Sequence, residues 1–118
     1  MWTYAQRSGE LLHDGRFEGT GYSGTGAGRN NPSFDHVASV GPIPAGRYHI
    51  GTAYNDPDLG PCVMHLDPKE GTETHGRSLF RIHGDNARHD ASHGCIILGP
   101  AIRHLIAIST DRDLTVIA

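Results

Sequence analysis

A histidine and a cysteine in the second half of the chain have the residue types of a catalytic base and a nucleophile. His83 lies in the segment Arg81–Asp85, and Cys95 ends the run Ser-His-Gly-Cys. A cysteine nucleophile needs a base within hydrogen-bond reach and backbone N–H groups aimed at the developing oxyanion. We therefore predict Cys95 as the nucleophile and His83 as its base, because a neighbouring imidazole favours the thiolate.

The residues around this pair are predicted to support it. Gly94 removes a side chain where a substrate carbonyl must approach, and the N–H groups of Gly94 and Cys95 are the expected oxyanion donors. Ser92 and His93 are expected to fix the geometry of the pair or to contact the substrate. Arg81 precedes the histidine by two residues on a predicted strand, so it faces the same side, where its guanidinium can hold a substrate carboxylate.

Short strands must position these residues. Apolar or alternating runs bounded by Gly, Pro, Asn and Asp predict strands at Trp2–Ala5, Arg47–Ala53, Cys62–Leu66, Leu79–His83, Cys95–Leu98 and Asp113–Ile117. A helix is predicted from Pro100 to the segment Ser109–Asp111, with Ile102, Leu105 and Ile106 on one face. The expected fold is mainly β, with a mostly antiparallel sheet.

The sheet core and the connecting segments can also be predicted. The candidate core residues are Tyr48, Ile50, Val63, Met64, Leu114, Val116 and Ile117, and Cys62 is expected to pack with them. Residues 19–32 are rich in Gly, Ser, Thr and Asn and predict a long loop. Residues 41–46 predict a rigid proline turn that leads into the strand at Arg47.

Length and composition restrict the class of protein. The 118 residues predict a single domain covering positions 1–118. The hydrophobic content of 36% becomes roughly 46% when the 16 Gly are added and the 4 Tyr removed, which is ordinary for a globular chain. A net charge of -3 and scattered Lys and Arg argue against a nucleic-acid partner. No stretch approaches membrane-spanning length, and the first ten residues do not have the pattern of a secretory signal.

The motif around the cysteine resembles the catalytic domains of the L,D-transpeptidases, in which a His-Gly pair precedes Ser-His-Gly-Cys. Nearly the whole chain resembles the small type VI secretion effectors of that superfamily. The matching pieces are Gly21–Gly24, Asn30–Pro32, Gly41–Tyr48, Asp56–Pro61, Ile82–Asp85 and Ser92–Leu98. The resemblance implies an L,D-transpeptidase-like mixed or antiparallel β-sandwich with one or two short helices.

The resemblance also implies an activity. Cys95 attacks the carbonyl of the third residue of a peptidoglycan tetrapeptide stem, D-alanine leaves, and His83 protonates its amine. Water then completes an L,D-carboxypeptidase reaction, and a free D-amino acid completes an exchange. Ser92, His93 and Gly94 are motif positions that shape the catalytic pocket, and Arg81, Gly84 and Asp85 are expected to bind substrate. No cofactor or metal is expected.

The same resemblance implies a biological setting. The protein is expected to be an antibacterial toxin that a type VI secretion apparatus delivers into the periplasm of a target bacterium, without membrane insertion. A cognate periplasmic immunity protein is expected to cover the cleft near His83 and Cys95. Two departures concern the acceptor side: the interval between these two residues is shorter than in housekeeping L,D-transpeptidases, and Ile97 stands where they usually have Arg. A shorter loop predicts a more open cleft that favours water or a free D-amino acid.

Two alternatives follow from the same residues. His83, His89, His93 and Cys95 have ligand-type side chains within a short stretch, which would suit a zinc-dependent peptidoglycan hydrolase. The spacing matches no fixed ligand pattern, and Gly94 argues against the helix that the His89 to His93 interval would need. The second alternative is a non-catalytic wall-binding module in which Cys62 and Cys95 form a disulfide.

Overall fold

Ten short strands and one helix make up most of the regular structure in the computed structural model, which describes all 118 residues. The strands are β1 (Trp2–Ala5), β2 (Glu10–His13), β3 (Arg16–Thr20), β4 (Tyr22–Ser23), β5 (Gly46–Ile50), β6 (Tyr54–Asp56), β7 (Gly60–Pro68), β8 (Arg81–His83), β9 (Ile96–Ile97) and β10 (Asp113–Ile117). The helix α1 covers Pro100–Ile108, and single 3-10 turns occupy Gly26–Gly28 and Pro32–Phe34. The mainly β class is confirmed. None of the helices has the length and apolar character needed to cross a membrane.

The strands join in the order β3-β2-β1-β10-β5-β7-β8-β9-β4, and β6 pairs with β7 beside this path. Seven of the nine pairings are antiparallel, and the parallel ones are β1 with β10 and β8 with β9. The two edge strands, β3 and β4, are separated in the chain by Gly21 alone. A β-carbon on Gly21 would lie 1.9 Å from the carbonyl oxygen of Ile97. The sheet therefore curls until its edges nearly meet, and this closure depends on a glycine.

One apolar cluster fills the interior of the curled sheet. Its fifteen buried residues are Trp2, Tyr4, Leu11, Ile43, Tyr48, Ile50, Met64, Leu66, Phe80, Ile82, Ile96, Leu98, Ile106, Leu114 and Val116. Alternation along β1, β5 and β10 places every second side chain in this cluster. The helix α1 contributes the fully buried Ile106 and, at the margin, Ile102. Each fully buried large aliphatic side chain stabilises the fold by about 1.5–3 kcal/mol.

Several predicted bounds were wrong. The strand predicted to begin at Leu79 begins at Arg81, because Leu79 has a left-handed backbone (φ 63°) and a side chain that is 73% exposed. Cys95 lies immediately before β9 and not within it. β5 ends at Ile50 and not at Ala53, whereas β7 extends beyond the predicted range at both ends.

Other differences concern segments with weak apolar patterns. The region predicted as a long loop, residues 19–32, contains the end of β3, all of β4, the first 3-10 turn and the first residue of the second. The predicted helix is confirmed, but its Leu105 is exposed and the polar Arg103 is buried in its place. Ile117 was expected in the core and is exposed, since β10 directs Leu114 and Val116 inward.

Candidate functional site

The parallel pair of β8 and β9 places the predicted base and nucleophile on one face. The register pairs Ile82 with Ile96, and both side chains point into the core. Because side chains alternate along a strand, Arg81, His83 and Cys95 point to the opposite face. All three line a single cavity of about 280 Å³, which we call the nucleophile cavity after its predicted nucleophile. The remaining lining residues are Ser39, Leu59, Ser78, Leu79, Phe80, Ala91, His93 and Gly94.

His83 is held in one tautomer. Its Nδ1 lies 2.9 Å from the carbonyl oxygen of Gly84, which can only accept, so Nδ1 carries the hydrogen and Nε2 keeps a free lone pair. Burial lowers the pKa of His83, an effect that the bond to Gly84 opposes and that the nearby guanidinium groups of Arg81 and Arg103 reinforce. The imidazole is therefore neutral at neutral pH and can accept a proton at Nε2.

Cys95 is 9% exposed, and its sulfur lies 3.8 Å from the carbonyl oxygen of Leu79. Burial raises the pKa of the thiol, while the backbone N–H and guanidinium of Arg81, and more weakly the Arg77 guanidinium, lower it. The resting state is thus a neutral thiol beside a neutral imidazole. No hydrogen bond joins Cys95 to His83, so the S–H group must turn away from Leu79 before it can reach the base.

Ser92 organises the turn that precedes the cysteine. Its hydroxyl is fully buried, donates to the carbonyl oxygen of Cys95 at 2.7 Å and accepts from the N–H of Gly94 at 3.2 Å. It also accepts from the N–H of Gly24 at 2.9 Å, which ties the turn to the segment after β4. Ser92 therefore positions Cys95 through backbone contacts and does not line the cavity.

One of the two predicted roles of Gly94 needs correction. Its N–H is bonded to the Ser92 hydroxyl, so it is not the oxyanion donor that the sequence suggested. The backbone N–H of Cys95 has no hydrogen-bond partner and remains available for that role. A β-carbon on Gly94 would meet Nη2 of Arg77 at 2.4 Å, so the glycine is required by this internal contact.

Arg77 is a site residue that sequence reasoning missed. Its buried guanidinium donates to the carbonyl oxygens of Asp35 at 2.7 Å, Pro42 at 2.7 Å and Gly41 at 3.1 Å. The Arg77 side chain thereby holds the proline turn, residues 41–46, next to Gly94. An arginine near a strand is a weak signal, because most arginines of a small domain lie in solvent.

The other predicted site residues line two neighbouring cavities. His93 is exposed and lines the nucleophile cavity, with Nδ1 3.4 Å from the carbonyl oxygen of Ser39. Gly84 and Asp85 do not line that cavity. They lie in a neighbouring cavity of about 230 Å³, which His83 and His93 also line. The predicted substrate-binding set is therefore divided, with Arg81 beside the sulfur and the other two beyond the base.

The four side chains of the zinc alternative do not lie close enough together to bind one metal ion. No three of His83, His89, His93 and Cys95 place their ligand atoms within 4.8 Å of one another, and the Nδ1 of His89 lies 2.7 Å from the Asp85 carboxylate. The only group that meets this geometric condition is His13, Asp14 and Asp111, on a different part of the surface.

The two cysteines do not form the disulfide of the second alternative. Cys62 and Cys95 are both free thiols, and Cys62 packs against the core as expected.

Comparison with known proteins identifies one family. The family model described as the Tlde1 domain matches residues 18–115. This range contains every residue that lines the nucleophile cavity. A search of curated proteins gave no match.

Proposed function

We propose a function for this chain on the premise that it belongs to the Tlde1 domain family, a family of type VI secretion effectors. The protein is an antibacterial cysteine enzyme that acts on the tetrapeptide stems of peptidoglycan. It removes the terminal D-alanine as an L,D-carboxypeptidase, replaces it with another D-amino acid as an L,D-transpeptidase, or does both.

One observation carries the proposal: His83 and Cys95 lie on the same face of the β8–β9 pair and line one cavity. A buried imidazole with a fixed tautomer and a buried thiol suit base-assisted nucleophilic attack. The two groups are neutral at rest. Proton transfer from the thiol to Nε2 of His83 therefore accompanies the attack and does not precede substrate binding.

The reaction proceeds through a thioester. The Cys95 sulfur forms a bond to the carbonyl carbon of the third stem residue, and its proton moves to His83. The developing oxyanion is stabilised by the N–H of Cys95 and by the positive charges of Arg81 and Arg77. The carbon–nitrogen bond then breaks, and His83 returns the proton to the amine of the departing D-alanine. Water or an amino group attacks the thioester and releases the thiol.

Arg81 is proposed as the carboxylate-binding residue of the nucleophile cavity. Its Nε is buried without any hydrogen-bond partner, which is costly unless a ligand supplies an acceptor. The strand alternation described above puts its side chain next to the sulfur. A stem carboxylate in this position would receive a charge-assisted hydrogen bond and would fix the scissile carbonyl near Cys95.

The proposed setting is the periplasm of a target bacterium, reached through the type VI secretion apparatus. A cognate immunity protein would protect the producing cell by covering the cavity. The exposed Leu79 side chain at the cavity wall offers an apolar contact for such an inhibitor.

The proposal is tested by incubating wild type, Cys95→Ala and Cys62→Ala with disaccharide-tetrapeptide, with and without a free D-amino acid. Products are identified by mass. We expect loss or exchange of D-alanine with wild type and Cys62→Ala, and none with Cys95→Ala. Absence of turnover with all three folded, reduced proteins contradicts the proposal.

A further inference from the structure

A second cavity, of about 340 Å³, lies beyond the base on the same side of β9 as the nucleophile. Its wall includes Ile97, which follows Cys95 by two residues and therefore faces the same way. Asp85 lines both this cavity and the neighbouring one that contains His83. We call this second cavity the head-group cavity. It adjoins the cavity of about 230 Å³ that His83 lines, because the two share Asp85.

Arg103 provides a buried positive charge in this cavity. The side chain, which is 7% exposed, donates from Nε to the carbonyl oxygen of Leu98 at 3.0 Å and from Nη1 to that of Pro61 at 2.6 Å. Its Nη2 has no hydrogen-bond partner and lies beside Gly84, where a β-carbon would come within 2.8 Å of it. Of the five N–H groups of a guanidinium, three therefore remain free for an anionic ligand such as a carboxylate.

Asp85 provides the opposite charge. Its carboxylate accepts from the Tyr22 hydroxyl at 2.5 Å, from the N–H of Asn86 at 2.9 Å and from His89 at 2.7 Å. Desolvation alone would raise the pKa of Asp85, but these hydrogen bonds outweigh it and lower the pKa. The group is therefore ionised and firmly oriented. Three of its about four acceptor positions are used, which leaves one for a ligand.

Asp85 and Arg103 do not form an ion pair with each other, although they line the same cavity. A ligand that carries both a positive and a negative charge would complement the separate charges of Asp85 and Arg103 in this cavity. We propose that the head-group cavity binds an amino-acid head group, a free ammonium and a free carboxylate on one carbon. Asp85 receives the ammonium and Arg103 the carboxylate.

Two sources supply this chemistry, and both rest on the proposed function. One is the side chain of a diaminopimelate residue in the stem, whose far end is such a head group. The other is a free D-amino acid. Ile97 stands roughly 7 Å along β9 from Cys95, since a strand rises about 3.3 Å per residue. That separation suits a side-chain terminus, because a free amino acid must bring its own amine to the thioester.

Binding is tested without turnover, in the Cys95→Ala background. Backbone amide resonances are followed by NMR during titration with meso-diaminopimelate and D-alanine, which carry the head group. The comparison ligands are 1,5-diaminopentane and pimelate, which carry ammonium or carboxylate alone. We expect shifts at residues 20–22 and 97–103 with the first two ligands only. Asp85→Asn and Arg103→Lys should each weaken binding at least tenfold, whereas the control changes Asp67→Asn and Arg88→Lys should not.

Kinetics on two stems identify the source of the head group. A stem with lysine at the third position ends in an ammonium alone, so wild type should prefer the diaminopimelate stem by at least tenfold in kcat/KM. Loss of that preference in Arg103→Lys, together with a lower kcat/KM for both stems in Asp85→Asn, identifies the stem side chain. A raised KM for the free D-amino acid with an unchanged stem preference identifies the acceptor.

The binding and kinetic outcomes separate the two proposals. Equal affinity of folded wild type and both variants for the head-group ligands, or no shifts near the cavity, overturns the inference. Head-group binding without turnover of either stem supports this site and refutes the proposed reaction instead. Asp85→Asn is nearly isosteric, so the test remains decisive if Arg103→Lys fails to fold.

Discussion

Gly94 lies directly against the guanidinium of Arg77, so that a β-carbon on residue 94 would be 2.4 Å from Nη2. The backbone of Gly94 has φ 128°, a conformation that suits glycine and strains other residues. Two independent constraints therefore act on the residue that precedes the proposed nucleophile. One constraint is the backbone conformation of Gly94, and the other is the buried Arg77 guanidinium, which does not line the cavity.

The change Gly94→Ala should abolish the proposed activity and destabilise the fold. We expect a loss of about 1–3 kcal/mol from the backbone conformation, and more from the displaced guanidinium. Gly15→Ala is the matched control, because Gly15 has φ 83° but no neighbour within 4 Å of a β-carbon. Thermal unfolding should separate the two variants. Equal stability losses would refute the contact with Arg77 as a cause.

Replacing Arg77 with methionine should affect both stability and the nucleophile. Three carbonyl oxygens lose their donor, which costs about 2 kcal/mol or more in the free energy of unfolding. Loss of the cation should also raise the pKa of Cys95, so alkylation by iodoacetamide should shift to higher pH. Arg77→Lys should restore part of the second effect, and the exposed Arg7→Met should change neither quantity. An unshifted alkylation profile in folded Arg77→Met would exclude the electrostatic role.

The change Ser92→Ala tests the positioning of the turn. Removal of the hydroxyl leaves two N–H groups and one carbonyl oxygen without their partner inside the protein. We expect a loss of about 2–3 kcal/mol in urea unfolding, with reduced kcat. The exposed Ser33, whose hydroxyl makes no hydrogen bond, provides the control Ser33→Ala. A loss below about 0.5 kcal/mol in Ser92→Ala would contradict the assigned role.

The pH dependence of kcat/KM should show an acid limb that belongs to His83. The neutral imidazole of His83 is the proposed base, and burial lowers its pKa, so activity should fall only when the pH drops below 6.5. The thiol pKa is raised above 9, so the profile should be level between these limits. His83→Gln should remove most of the activity and, with it, the acid limb. The exposed His104→Gln should retain the activity and the acid limb. An acid limb centred above 6.5 would refute a neutral buried base.

The same group makes stability depend on pH. Folded His83 binds its proton more weakly than the unfolded chain does, so the unfolded state takes up the proton first as the pH falls. The free energy of unfolding should therefore decrease below pH 6.5 and be unaffected by His83 above it. Chemical denaturation of wild type and His83→Gln at several pH values measures this contribution, and parallel curves for the two proteins would contradict it.

The sequence predicted much of the site because its key residues are close in the chain. His83 and Cys95 fall on or next to short apolar segments that the sequence predicted as strands, and these segments become neighbours that bring both residues to one cavity. The helix and most core positions followed from periodicity in the same way. Their roles in catalysis stay predictions that the product analysis must test.

The parts that were missed depend on contacts between distant segments. The partners of Arg77 are carbonyl groups some forty positions earlier, and the bond from Arg103 to Pro61 spans a similar distance. Local patterns contain no information about such pairs. β3 was missed because its exposed edge position permits polar residues and leaves Phe17 in solvent, and β2 was missed because Leu11 is its only buried residue. The Gly94 N–H was misassigned because only the folded turn brings the Ser92 hydroxyl to it.

The parallel pairing of β1 with β10 determines when folding can finish. β10 lies between β1 and β5, so the sheet has a gap until the final strand is inserted. The β1–β2–β3 meander can form early from nearby residues, but it can join the rest of the sheet only through β10. During synthesis the nascent chain therefore cannot complete the fold until its last strand has left the ribosome. Contacts of such long range favour slow folding, which gives a secretion machine or a chaperone time to act on an incompletely folded chain.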